Sequence, residues 1–142
     1  MLGIGGFATC HVIKVPGQEV EFAGKAFYKR NPKNKDITKI DKEIELGASL
    51  DHPRIVKVYK KLESRDYIIM LMERCYGGSL SKIMKTRFYL TEPEVRFILS
   101  QIVDGLIYLK SKKIMHLDLK LSNILLDDYY QVKIADFGLA EP

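Results

Sequence analysis

Hydrophobic positions change their spacing several times along the chain, and each change marks an element. Cys10 to Val15 and Val20 to Tyr28 are apolar and rich in β-forming residues, with Pro16-Gly17-Gln18-Glu19 between them, so a hairpin is predicted. A helical pattern then opens at Thr38, with Asp41 as its capping-box partner. Ile37, Ile40, Ile44 and Ala48 supply its apolar stripe. Asp51-His52-Pro53 ends it, because the residue before proline resists helical backbone angles. Strands are predicted again near Val56 to Leu62 and Asp66 to Met72, joined by Glu63-Ser64-Arg65.

Gly77-Gly78 breaks this pattern, and Ser79 can cap a short helix through Lys85. Thr91-Glu-Pro-Glu supplies the N-cap, first-turn proline and third-position carboxylate of a long helix. Val95, Ile98, Leu99, Ile102, Leu106 and Leu109 mark its predicted buried face. Short strands follow at Ile114–Met115, Ile124–Leu126 and Val132–Ile134. Strands dominate the first part and helices the second, which suggests an α+β chain of two lobes with a ligand cleft between them.

Composition narrows the function classes. With 142 residues, 46% apolar and 29% charged, the chain suits one globular domain with a sizeable core. A net charge of +5 fits anionic partners such as nucleotides but does not argue for nucleic acid. The basic run from Tyr28 to Lys39 reads as a solvated loop. The apolar run Tyr67 to Met72 is far too short for a bilayer, and no signal-peptide pattern opens the chain. Cys10 and Cys75 form no CxxC and read as free thiols in a reducing compartment.

Three constellations carry possible chemistry. Glycines in GIGGFATC, Gly3 to Cys10, permit a tight turn whose backbone amides can approach phosphate oxygens; a purely structural turn is the alternative. A dinucleotide-binding site would need a helix after the glycines, and a P-loop would need a closing G-K-[ST]; neither is present. Lys25 lies among apolar neighbours in FAGKAF, so it either pairs, with Glu43 the candidate, or snorkels out from an edge strand. In MHLDLKLSN and ADFG, Asp118, Lys120, Asn123 and Asp136 combine hard oxygen ligands suited to Mg²⁺, a carboxylate able to accept a hydroxyl proton and a phosphate-facing ammonium.

In this order the motifs resemble a protein kinase catalytic domain, serine/threonine type. FATC, FAGK, ASLDHP, LTEPEVRF and DLKLSN are similar to the polo-like branch, whereas Leu125 stands where several of its members carry phenylalanine. The resemblance implies a bilobal fold, with a β-rich small lobe and hinge over 1–76 and the start of a helical large lobe over 77–142. It implies ATP and Mg²⁺ as cofactors. Leu2, Gly3, Gly5, Gly6, Cys10, Ala23, Lys25, Glu43, Glu73, Cys75 and Leu125 would serve the nucleotide, with Met72 as gatekeeper and Glu73-Arg74-Cys75 as hinge. Asp118 would be the base, Lys120 its phosphate-facing companion, and Asn123 and Asp136 the metal ligands.

The implied partner is a protein substrate with a Ser or Thr acceptor, with no role for nucleic acid or membrane, in the cytoplasm or nucleus. Oligomeric state is not legible. Two substitutions depart from the family pattern: Leu117 replaces the arginine before the catalytic aspartate, and Gly47 leaves a gap where a side chain usually packs. The activation segment and substrate-docking helices expected of a complete kinase do not follow Asp136 within these residues. A rival reading is therefore a non-catalytic, pseudokinase-like fragment that binds nucleotide or a partner. A small-molecule phosphotransferase is disfavoured by Lys120 and the polo-like stretches.

Overall fold

The computed structural model describes residues 2–4, 8–31 and 36–141. They form two compact units, one of residues 1–50 and 57–74, the other of 51–56 and 75–142.

The first unit is an antiparallel sheet with one helix. Its strands are β1 (Gly3–Ile4), β2 (Thr9–Lys14), β3 (Glu21–Tyr28), β4 (Val58–Glu63) and β5 (Tyr67–Glu73), in the order β1-β2-β3-β5-β4. Helix α1 (Ile37–Ser49) packs beside β4. Between helix and sheet lies a core of Phe27, Ile40, Ile44, Val58, Ile68 and Met70. The predicted hairpin and both later strands are present, but β4 starts at Val58 rather than Val56. Val56 has another partner: its amide donates to the Ile134 carbonyl at 2.9 Å, within the second unit.

Helix α1 begins differently from the prediction. Its N-cap is Asp36, whose carboxylate accepts from the Thr38 amide and also from the Thr38 hydroxyl. Asp41 is drawn instead to Lys61 at 2.8 Å. The buried row is Ile40, Ile44 and Gly47, while Ile37 and Ala48 are exposed. Gly47 leaves no gap. A Cβ there would lie 2.7 Å from Val58 Cγ2, so the β4 side chain fills the space that the glycine vacates.

The second unit contains a three-stranded sheet in the order β6 (Gly78–Ser79), β7 (Ile124–Leu126), β8 (Val132–Ile134), with helices α2 (Leu80–Arg87) and α3 (Glu92–Ser111). Gly77-Gly78 is thus more than a break. The Gly77 amide donates to the Leu126 carbonyl at 2.9 Å, and a Cβ on Gly77 would meet Leu126 Cβ at 2.8 Å. Glycine permits that approach. Ser79 caps α2, which runs past Lys85 to Arg87. The strand predicted at Ile114–Met115 is only a single bridge between Met115 and Glu141.

Helix α3 starts as its sequence dictates. The Glu94 carboxylate accepts from the Thr91 amide and hydroxyl, both at 2.8 Å, and from Arg87 at 2.6 Å. Its buried row is Ile98, Gln101, Gly105 and Leu109. Ile102 and Leu106 are half-buried, whereas Val95 and Leu99 of the predicted face are exposed, Leu99 by 51%. The close approach to β8 decides this. A Cβ on Gly105 would stand 2.8 Å from Ile134 Cδ1, so the helix turns its Gly105 side, not the side of Val95 and Leu99, toward the strand. Among the described residues no helix is long and apolar enough to cross a membrane.

Two expectations follow. Gly47→Ala adds helix propensity worth about 1 kcal/mol but drives a methyl into Val58, an overpacking that typically costs about 1–3 kcal/mol. The single substitution should lower the melting temperature, and Val58→Ala should restore part of that loss in the double variant. Additive losses in a double-mutant cycle would refute the contact. Arg87, with Thr91, holds the Glu94 carboxyl down at about 2. A depressed folded-state pKa adds stability above the ordinary glutamate range, and this is lost as pH falls from 4.5 toward about 2. Glu94→Gln should flatten the acid limb of a pH–stability curve within that window.

Candidate functional site

In the first unit the sheet register gathers the residues singled out from sequence. Gly3 pairs with Cys10, Cys10 with Lys25, and Ala23 with Met72 on β5. The Leu2 amide donates to the Cys10 carbonyl at 2.7 Å. Gly5 and Gly6 lie outside the described residues. Lys25 is on a strand flanked on both sides, so snorkelling from an edge does not apply. Its ammonium donates to Glu43 of α1 at 2.6 Å, and the two side chains are only 16% and 9% exposed. Burial explains the pairing: two charges taken largely out of water need each other.

The end of β5 is also tied down. Glu73 brackets Lys57, accepting from its amide at 2.6 Å and donating its own amide to the Lys57 carbonyl at 2.9 Å. Arg74 forms an ion pair with Glu21. In the second unit the half-buried Cys75 accepts from the Gly78 amide at 3.3 Å, and half-buried Leu125 sits on β7 opposite Ser79 and Lys133.

The second unit assembles the other group. Ile124 pairs with Ile134 across β7 and β8, and one step further the Ala135 amide donates to the Asn123 carbonyl at 2.9 Å. The strand register therefore carries Asn123 and Asp136 to the same end of the hairpin. Asn123 is buried, and its side-chain amide donates to the Asp118 carbonyl at 2.9 Å and to the Asp118 carboxylate at 3.0 Å. Lys120 donates to the same carboxylate at 2.7 and 3.0 Å. One carboxylate thus has an ammonium on one side and a carboxamide on the other. Lys120, foremost, and then Asn123 hold the Asp118 carboxyl below its usual range, against a desolvation effect that would raise it.

The motif residues leave out His116, which the structure places at the centre of the segment. Buried His116 bonds the Ala135 carbonyl through Nε2 at 3.0 Å and accepts from the Asp118 amide through Nδ1 at 3.3 Å. Its ring also lies 5.0 Å from that of buried Phe137. The signal was the spacing itself, since a histidine two residues before the aspartate can turn its ring back to that amide. Leu117 and Asp136 both adopt left-handed backbone angles, φ +58° and +69°. Non-glycine residues held there cost on the order of 1–3 kcal/mol each. The bonds that flank them hold both in place, from His116 to Asp118 and Ala135 and from Asn123 to Ala135.

No group of three or more His, Cys, Asp and Glu able to hold a metal occurs among the described residues. The donor set nevertheless fits Mg²⁺, which takes one or two protein oxygens and completes its shell with water and phosphate. With the Asn123 nitrogen engaged by Asp118, its side-chain oxygen is the atom of that amide that could address a cation, and the Asp136 carboxylate would be the charged donor.

Comparison with known proteins agrees with this geometry. The profile of the family described as protein kinase domain matches residues 1–142. The chain is 43% identical over 141 residues to serine/threonine-protein kinase PLK2 of Mus musculus, covering 99% of this chain and 21% of that protein. It is 44% identical over 140 residues to the cell cycle serine/threonine-protein kinase CDC5/MSD2 of Saccharomyces cerevisiae, covering 98% and 20%. Against serine/threonine-protein kinase PLK1 of Xenopus laevis the identity is 42% over 142 residues, covering 98% and 23%. The chain spans about a fifth of the length of these curated relatives.

The Asp118 cluster is testable by titration. Because Lys120 leads the depression, Lys120→Met should raise the Asp118 pKa toward the ordinary value of 3.8. Carboxyl NMR resonances followed against pH would show the shift. An unmoved titration would mean that the ammonium does not govern this carboxylate.

Proposed function

Because the chain belongs to the protein kinase family, we propose that it is the nucleotide-binding and catalytic-loop part of a polo-like serine/threonine kinase. The reaction is in-line transfer of the ATP γ-phosphoryl group to a protein Ser or Thr hydroxyl. Residues 1–76 make the small lobe and hinge, and 77–142 begin the large lobe. The observation that carries this reading is the Asp118 carboxylate held between Lys120 and Asn123 at 2.7 and 3.0 Å.

The roles divide by chemistry. Lys25, steadied by Glu43, meets the α- and β-phosphates as a fixed charge. Leu2, Gly3, Cys10, Ala23 and Leu125 offer apolar or backbone surface to the nucleotide, Gly5 and Gly6 belong to the same glycine motif, and the 73–75 backbone offers hydrogen bonds to the base. Asn123 and Asp136 hold the cation, which when bound neutralises charge on the phosphates. Asp118 aligns the acceptor hydroxyl and takes its proton as the oxygen–phosphorus bond forms. A carboxyl held below its usual pKa is a weak base near neutrality, so alignment is its larger contribution. Lys120 offsets negative charge on the transferring group.

The name of the Saccharomyces cerevisiae relative, a cell cycle kinase, supports a cell-cycle role, and the setting that goes with this reading is intracellular, in the cytoplasm or nucleus. Leu117 bears on regulation. It is 57% exposed where an arginine would meet a phosphorylated activation segment, so this loop supplies no cation for that contact. The same observation favours the second reading, a nucleotide- or partner-binding chain that does not transfer phosphate. Binding without transfer in a full-length protein would select it.

The direct test is titration of a fluorescent ATP analogue with and without Mg²⁺. Lys25→Met should weaken binding in both conditions. Asp136→Asn should weaken only the Mg²⁺-dependent part, by roughly tenfold or more, as expected for loss of a charged ligand. Unchanged affinity in both variants would sink the assignment.

A further inference from the structure

Strand β8 has three residues and two edges. Toward β7 it pairs through Lys133 opposite Leu125. On the other edge, the Ile134 amide donates to the Arg54 carbonyl at 2.8 Å and the Ile134 carbonyl accepts from Val56 at 2.9 Å. Alternation along a strand points the Val132 amide to that same edge, where residues 54–56 do not meet it. A side chain does: Gln101 of α3, 6% exposed, accepts from the Val132 amide through Oε1 at 3.0 Å. Its nitrogen donates to the Phe97 carbonyl at 3.3 Å, one turn back along α3, which fixes the side-chain rotamer.

This contact joins two supports of one site. Helix α3 runs directly into the segment that carries Asp118 and Lys120, while the β7–β8 hairpin carries Asn123 and Asp136. Near the chemistry they are joined by Asn123 to Asp118 and by His116 to Ala135. At the far end of the hairpin the direct polar link between the two is Gln101 to Val132, an indirect one runs from Asp104 of α3 through Arg54 to Gln131, and the Gly105–Ile134 approach is apolar and non-directional. We infer that Gln101 is a positioning residue for the metal-binding pair, setting the axial register of β8 against α3. A polar residue fully inside an otherwise apolar row is explained by this directional role. The inference rests on the kinase reading of Asn123 and Asp136.

The experiment compares wild-type chain with Gln101→Met, which has similar volume but no acceptor for Val132, and Gln101→Glu, which keeps an oxygen there. A fluorescent ATP analogue is titrated without Mg²⁺, and Mg²⁺ is then titrated at fixed analogue. For Gln101→Met the Mg²⁺ half-saturation should rise about tenfold, in the range seen when outer-shell partners of metal ligands are lost. Analogue affinity without Mg²⁺ should stay at the wild-type value, and the Val132 amide should exchange faster. Gln101→Glu should lie nearer wild type than Gln101→Met. Equal loss with and without Mg²⁺ would make Gln101 merely structural and overturn the inference, as would an unchanged half-saturation in the Met variant. A wild-type chain that binds no analogue in either condition would instead overturn the kinase reading, and this inference with it.

Discussion

The Asn123 side-chain amide is the contact on which the candidate site depends. By donating to both the carbonyl and the carboxylate of Asp118, it fastens a loop without regular structure to the residue just before β7. Lys120 can then address the same carboxylate from the other side, and the register that sets Ala135 against Asn123 carries Asp136 to the same end of the hairpin. Breaking these bonds is costly, because the buried Asn123 amide would lose its partners away from water.

Much of this was legible in the sequence, and particular residues show why. Thr91 to Glu94 announced the start of α3, since a cap depends only on residues within one turn. Lys25 and Glu43 could be matched because a lysine among apolar neighbours demands an anion, and few lay within reach of a packed helix. What stayed hidden was set by distant contact. The buried side of α3 depends on how closely β8 approaches Gly105, and no periodicity within the helix reveals that. Asp36 displaced Thr38 as the α1 cap because either residue could serve, and local pattern does not rank them. His116 had a visible spacing, but its second partner, Ala135, lies nineteen residues away.

Gly47 shows how an apparent defect disappears once packing is known. A glycine within a helix looks like lost propensity and an empty site. Against β4 it is the counterpart of a β-branched neighbour, and the volume given up by one element is taken by the other. The ion pairs of Lys25 with Glu43 and of Lys61 with Asp41 bridge the same helix to β3 and β4, so directional contacts add to the steric one in holding α1 to its sheet.

The pairing of Ile134 with residues 54–56 has a consequence in time. Ile55 and Ile134 are almost completely buried, yet roughly eighty positions separate them along the chain. Such a contact closes a long loop and contributes to slow, high-contact-order folding. During synthesis the 54–56 segment emerges well before its partner strand exists. Until Ile134 leaves the ribosome, Ile55 and Val56 are an uncovered apolar pair with free backbone groups, the kind of edge that holdase chaperones recognise.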